Sequence, residues 1–154
     1  MTLYKLNIDY FEESDFNLLA IHSSLESYEL AFFINKQFPV LLSLTEEPIS
    51  LKSGESESVF SRYSWENESE SWDLLENKAE VISGNSSSNS LFASDITQTA
   101  YLLPEQKTAD FLLKITNSVN PIESIIKTLK RIKNLSTAYP LEDISLKSKY
   151  NLIF

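Results

Sequence analysis

From Val40 to Leu51, and again from Val59 to Asn77, apolar segments follow one another with gaps too short to hold a helix. Parallel strands need a crossover of a dozen or more residues, so a sheet made from these segments is mainly antiparallel. Val40 to Leu44 and Ile49 to Leu51 read as short strands around a Glu46-Glu47-Pro48 break. Val59 to Trp65 and Trp72 to Asn77 flank Glu66-Asn67-Glu68-Ser69-Glu70 and read as a hairpin whose acidic loop discourages edge pairing. Ala100 to Leu103 and Phe111 to Thr116 read as strands around a turn that begins at Pro104.

The two ends supply the remaining elements. Tyr4 to Tyr10 alternates apolar and polar side chains, as a half-buried strand does, and Phe16 to Ile21 pairs with it in an expected N-terminal hairpin. Ser23-x-x-Glu26 has the form of a capping box, and the helix it opens should end near Gln37, because Pro39 disfavours helical geometry at Phe38. A second helix is expected to be capped by Asn120, with Pro121 at its first helical position, Glu123 completing an Asn-x-x-Glu box, and an apolar stripe of Ile122, Ile125, Ile126, Leu129 and Ile132. Lys130, Arg131 and Lys133 suit the C-terminal end of that helix, and Asn134 can stop it. Thr137 to Leu141 and Tyr150 to Phe154 read as extended. The expected architecture is α+β: a mainly antiparallel sheet of about six strands with two helices packed on one face. It forms a single domain over residues 1–154, with a flexible Ser/Asn-rich loop at 84–99.

Composition narrows the chemistry. Cysteine is absent, which removes disulfides, thiolate metal sites and a cysteine nucleophile. The two glycines, Gly54 and Gly84, are too few for a phosphate-cradling loop, a dinucleotide fingerprint or a nucleophile elbow. Neither a cofactor nor a metal is expected. The net charge of −9 repels phosphate backbones, so direct nucleic-acid binding is not expected. Between Glu46 and Glu80 ten acidic residues face Lys52, Arg62 and Lys78, whereas from Lys107 onward the balance is +4, as solvated faces of opposite sign would give. No apolar run is long enough to cross a bilayer, and Met1-Thr2-Leu3-Tyr4-Lys5 does not open a signal peptide. A soluble, cytoplasmic protein that makes no membrane contact is the expectation.

Few residues remain for a site. His22, the single histidine, stands at a strand–helix junction and is expected to bond backbone. Glu105 and Asp110 flank the Pro104 turn and are the carboxylates that could work as an acid–base pair. On the first helix Phe33 lies amid Glu26, Glu29, Lys36 and Gln37, a ring among charges that could anchor a partner or a second copy, or be covered by the chain itself. Asn151-Leu152-Ile153-Phe154 is expected to dock on its own sheet, the alternative being a peptide displayed to another protein.

Leu103-Pro104-Glu105-Gln106-Lys107-Thr108-Ala109-Asp110-Phe111 resembles the signature of the IPExxxVDY family of small bacterial proteins from the Bacteroidetes group. Pro104, Glu105 and Asp110 match it by identity; Leu103, Ala109 and Phe111 stand where the signature has isoleucine, valine and tyrosine. The change at Phe111 deletes a phenolic hydroxyl. Ile34-Asn35-Lys36, the Phe60 to Lys78 hairpin and Leu146-Lys147-Ser148 are also similar to the family, so the resemblance covers most of the chain. It implies no established activity. The family's genes often lie near those for ribonuclease III and fatty-acid synthesis, which implies an association with such assemblies without a mechanism. In physical terms Pro104 fixes a turn, and Glu105 and Asp110 can accept backbone N–H groups at its ends.

The expected function is a non-catalytic protein-binding or adaptor domain, in which a homodimer is possible, acting through Phe33 or through Pro104, Glu105 and Asp110. One alternative is an enzyme using Glu105 and Asp110. Another is a protein-binding accessory of an RNA-processing or fatty-acid-synthesis assembly.

Overall fold

The computed structural model describes residues 16–83, 98–142 and 149–154. Its elements are β1 (Phe16–Ser23), α1 (Ser27–Gln37), β2 (Ser43–Leu44), β3 (Ile49–Ser53), β4 (Ser56–Phe60), β5 (Arg62–Glu66), β6 (Ser71–Glu76), β7 (Lys78–Ser83), β8 (Thr99–Tyr101), a 3-10 turn (Pro104–Gln106), β9 (Phe111–Thr116), α2 (Ile122–Leu129) and β10 (Leu135–Leu141). The expected strand at 4–10 lies outside the described residues; β1 is paired on both edges, with β10 and with β9, which leaves it no edge for the expected N-terminal hairpin. Most of the expected loop also lies outside the described residues, and Thr99 already belongs to β8.

The protein is α+β, as expected. Six strands form one sheet in the order β10-β1-β9-β6-β5-β2, and four form a second in the order β3-β4-β7-β8. All the pairings are antiparallel. The second sheet was not foreseen, because Val59 to Trp65 is not one strand: it breaks at Ser61, β4 going to the small sheet and β5 to the large one. Gly54 takes φ of 63° in the two-residue turn joining β3 to β4, where a side chain would be strained.

Register divides the large sheet into two faces, since residues directly opposite each other share a face. Leu19, Ile21, Leu74, Leu113 and Ile115 face both helices, meeting Leu30, Ala31 and Ile34 of α1 and Ile125 and Leu129 of α2. Leu18, Ala20, Leu75 and Leu112 face the other way, onto Ile49 and Phe60 of the small sheet, Leu102, Leu103 and Ala109 around the 3-10 turn, and Leu152. Central β9 is buried on both faces, which is why Phe111-Leu112-Leu113 reads as a continuous apolar run.

Helix ends depart from the expected caps. Glu26 is the N-cap of α1 and makes its box with Glu29; Ser23 lies in β1, where its hydroxyl donates to the Asn134 carbonyl and accepts the Leu25 N–H. The sheet thus claims the serine before the helix can. Phe38 leaves the helix in an extended conformation before Pro39, as expected. Pro121, not Asn120, is the N-cap of α2, and no side chain caps it. The helix stops at Leu129, and Asn134 takes φ of 70° in the turn that leads to β10. Val40 to Leu44 shrinks to the two-residue β2 because the Asn35 side chain holds both backbone groups of Leu42. Residues 149–152 are a helical turn, not extended, closed by a bond from the Leu152 N–H to the Lys149 carbonyl.

Candidate functional site

The Pro104 turn is held from inside by a residue the sequence did not single out. Asn77 stands between β6 and β7 and is fully buried. Its amide nitrogen donates to the carbonyls of Gln106 at 2.7 Å and Ala109 at 2.9 Å, and its Oδ1 accepts the Leu103 N–H at 2.9 Å. Its backbone adds a bond to the Asp110 carbonyl and one from the Leu102 N–H. One side chain thereby satisfies polar groups on both sides of the turn, which leaves Leu102, Leu103 and Ala109 free to be buried.

Asp110 does accept a backbone N–H, but from β1 and not from its own turn. Its Oδ2 accepts the Ser23 N–H at 2.9 Å, and its Oδ1 pairs with Lys78 at 3.0 Å. Asp110 lines a shallow cleft with Ser23, Glu26, Glu76 and Lys78; Glu105, exposed on the 3-10 turn, is not part of that cleft. Phe111 starts β9, as expected, and is buried.

On α1 the aromatic rings divide between core and surface. Phe33 is half buried against the core, edge-on to Phe32. Tyr28 and Phe32, one turn apart, are 65% and 54% exposed, and the Lys36 ammonium lies 4.9 Å from the Phe32 ring centroid. The Ser27 hydroxyl meets the Tyr63 hydroxyl at 3.2 Å, and Leu44 pairs with Tyr63 at the sheet edge. Leu41, after the end of α1, and Leu44, on β2, are 71% and 62% exposed.

A charged cluster sits on the opposite face of the large sheet. Ser64, Asp73 and Lys114 stand side by side on β5, β6 and β9, with Arg62 one row away. The Arg62 Nε donates to Asp73 Oδ1 at 3.0 Å, and Lys114 donates to the Leu152 carbonyl at 2.6 Å. The Phe154 ring covers both cations, 4.1 Å from the Arg62 guanidinium and 4.4 Å from the Lys114 ammonium. Burial raises the Asp73 pKa, an effect Arg62 and Lys114 oppose, and burial lowers the Lys114 pKa, which Asp73 opposes. These residues border a cavity of 320 Å³. Sequence reasoning missed them, although each charge interrupts an apolar run, Asp73 between Trp72 and Leu74 and Lys114 between Leu113 and Ile115.

The tail docks as expected: Leu152 is fully buried, and the Asn151 amide donates to the Leu102 carbonyl. His22 meets the Tyr139 hydroxyl at 2.9 Å, so its partner is a side chain of β10 and not backbone. Among the described residues no three His, Cys, Asp or Glu side chains gather to hold a metal ion, and no helix is long and apolar enough to cross a membrane. Compared with protein-family models and with curated proteins, the sequence matches none.

Proposed function

We propose that this chain is a non-catalytic protein-binding domain whose contact surface is the outer face of α1 continued along β2. The observation that carries this reading is the pair of exposed rings, Tyr28 and Phe32, on consecutive turns of one helix. Aromatic side chains bring large contact area at small entropic cost, and they are enriched among the residues that dominate binding energy. Leu41 and Leu44 add exposed apolar area, and β2, at the end of the large sheet, is an edge strand. A partner protein or a second copy of the chain would bury the same four side chains.

The acid–base reading of Glu105 and Asp110 has less support, because both oxygens of Asp110 are engaged in joining β1, β7 and β9. The surface is tested by measuring oligomeric state and partner recovery with wild type and Phe32→Glu. Loss of the complex with an unchanged melting temperature is expected; a complex that persists in the variant would refute the surface.

A further inference from the structure

We propose that the partner at the α1 surface is a second copy of the chain, its α1 antiparallel to the first about a two-fold axis at Phe32. The pairing rests on the binding surface proposed above and names what occupies it. Tyr28, Phe32 and Lys36 recur at every fourth position, so they lie along one face of the helix, and all three are exposed. Glu29, half-buried in the first turn, and Lys36, in the last, put opposite charges at the two ends of that face, with the Phe32 ring between them.

In a two-fold interface the same patch meets itself, so residues equally far from the centre on either side face one another. Centred on Phe32, that rule sets the ring against its own copy, Tyr28 opposite Lys36 of the second copy, and Glu29 beside the same lysine. Ring meets ring, ammonium meets aromatic face, and carboxylate meets ammonium, each pair occurring twice. Lys36 already holds its ammonium 4.9 Å from the centroid of its own Phe32, on the face where the second copy arrives. A parallel arrangement would instead set Glu29 against Glu29 and Lys36 against Lys36. Antiparallel helices also bring each positive helix end beside a negative one. The chain's net charge of −9 opposes self-association, but this face carries one carboxylate and one ammonium, so two copies meet here with less repulsion.

Sedimentation of the purified full chain tests the pairing. Wild type is expected to dimerise at about 100 μM. Glu29→Lys and Lys36→Glu should each weaken the dimer at least tenfold, because each sets like charges against one another. An equimolar mixture of the two variants should recover the dimer, since opposite charges then meet at both contacts. Glu29→Lys also removes half of the α1 capping box, so melting temperatures are followed alongside. Amide chemical shifts of wild type on dilution, for which no variant has to fold, should move most at Tyr28, Glu29, Phe32 and Lys36. A wild type that stays monomeric, a mixture no tighter than its components, or shifts clustered elsewhere would overturn the self-pairing. The α1 surface itself would still stand if wild type retains a foreign protein that Phe32→Glu loses, and would fall with the pairing if nothing is retained.

Discussion

The backbone N–H of Leu103 donates to the side chain of Asn77 at 2.9 Å, across 26 positions of sequence, and both residues are fully buried. That bond anchors the segment resembling the family signature to the junction of the two sheets. It gives the segment a structural role that does not depend on reactive groups.

Asn77→Ala is therefore expected to be among the most damaging single changes. It orphans the buried Leu103 N–H and removes the partner of two carbonyls, where one unsatisfied buried group costs about 1–3 kcal/mol. Urea unfolding should show a loss of about 3 kcal/mol at an unchanged slope. A loss below about 1 kcal/mol would mean that water or a shifted side chain replaces the amide.

The tail is expected to contribute stability. Leu152 is fully buried against Leu18, Leu75 and Leu112, so Leu152→Ala should cost about 2–4 kcal/mol. In a chain of this size the melting temperature should fall by about 2–4 °C per kcal/mol. Deleting residues 151–154 should do at least as much, and an unchanged melting temperature would contradict docking.

How far the sequence could be read follows from range. Strand β9, the end of α1 before Pro39 and the apolar stripe of α2 rest on local periodicity or on a single backbone constraint, and they were legible. The Ser23 box failed because Ser23 meets Asn134, far away in sequence, and a distant partner outcompetes a local cap. Phe33 and Phe32 are neighbours on one helix, and only the position of the sheet beneath α1 decides which ring is covered. Asn77, Asp73 and Lys114 acquire their roles from strand pairing, which the small number of candidate strands did not fix. Charges inside apolar runs were the one local sign of that cluster.

The buried charges give a pH signature with opposite signs. Burial holds the Asp73 proton to higher pH in the folded state than in the unfolded chain. The stability this group contributes is present below its unfolded pKa and lost as pH rises through the raised folded pKa. Wild type should therefore lose stability relative to Asp73→Asn as pH rises from about 4. Lys114 is lowered, so its contribution is present above its unfolded pKa and lost as pH falls through the folded one. Wild type should gain relative to Lys114→Met on the alkaline side. Denaturant titrations at a series of pH values check both slopes, and flat differences would contradict the burial.

The two rings of α1 should respond differently to the same change. Phe33→Glu puts a charge against the core and is expected to destabilise the fold, whereas Phe32→Glu should leave stability within about 0.5 kcal/mol. Thermal unfolding of both variants separates a packed ring from a displayed one. Equal losses would mean that Phe32 is packed as well.

The contact surface on α1 is tested most directly by quantitative co-precipitation from the source cell. Wild type would be compared with the Tyr28→Ser, Phe32→Ser double variant, and the oligomeric state of each measured by sedimentation. The expected result is a partner, or a second copy, that is retained by wild type and lost from the variant at an unchanged melting temperature. Equal recovery and the same oligomeric state in both would contradict a binding role for this helix.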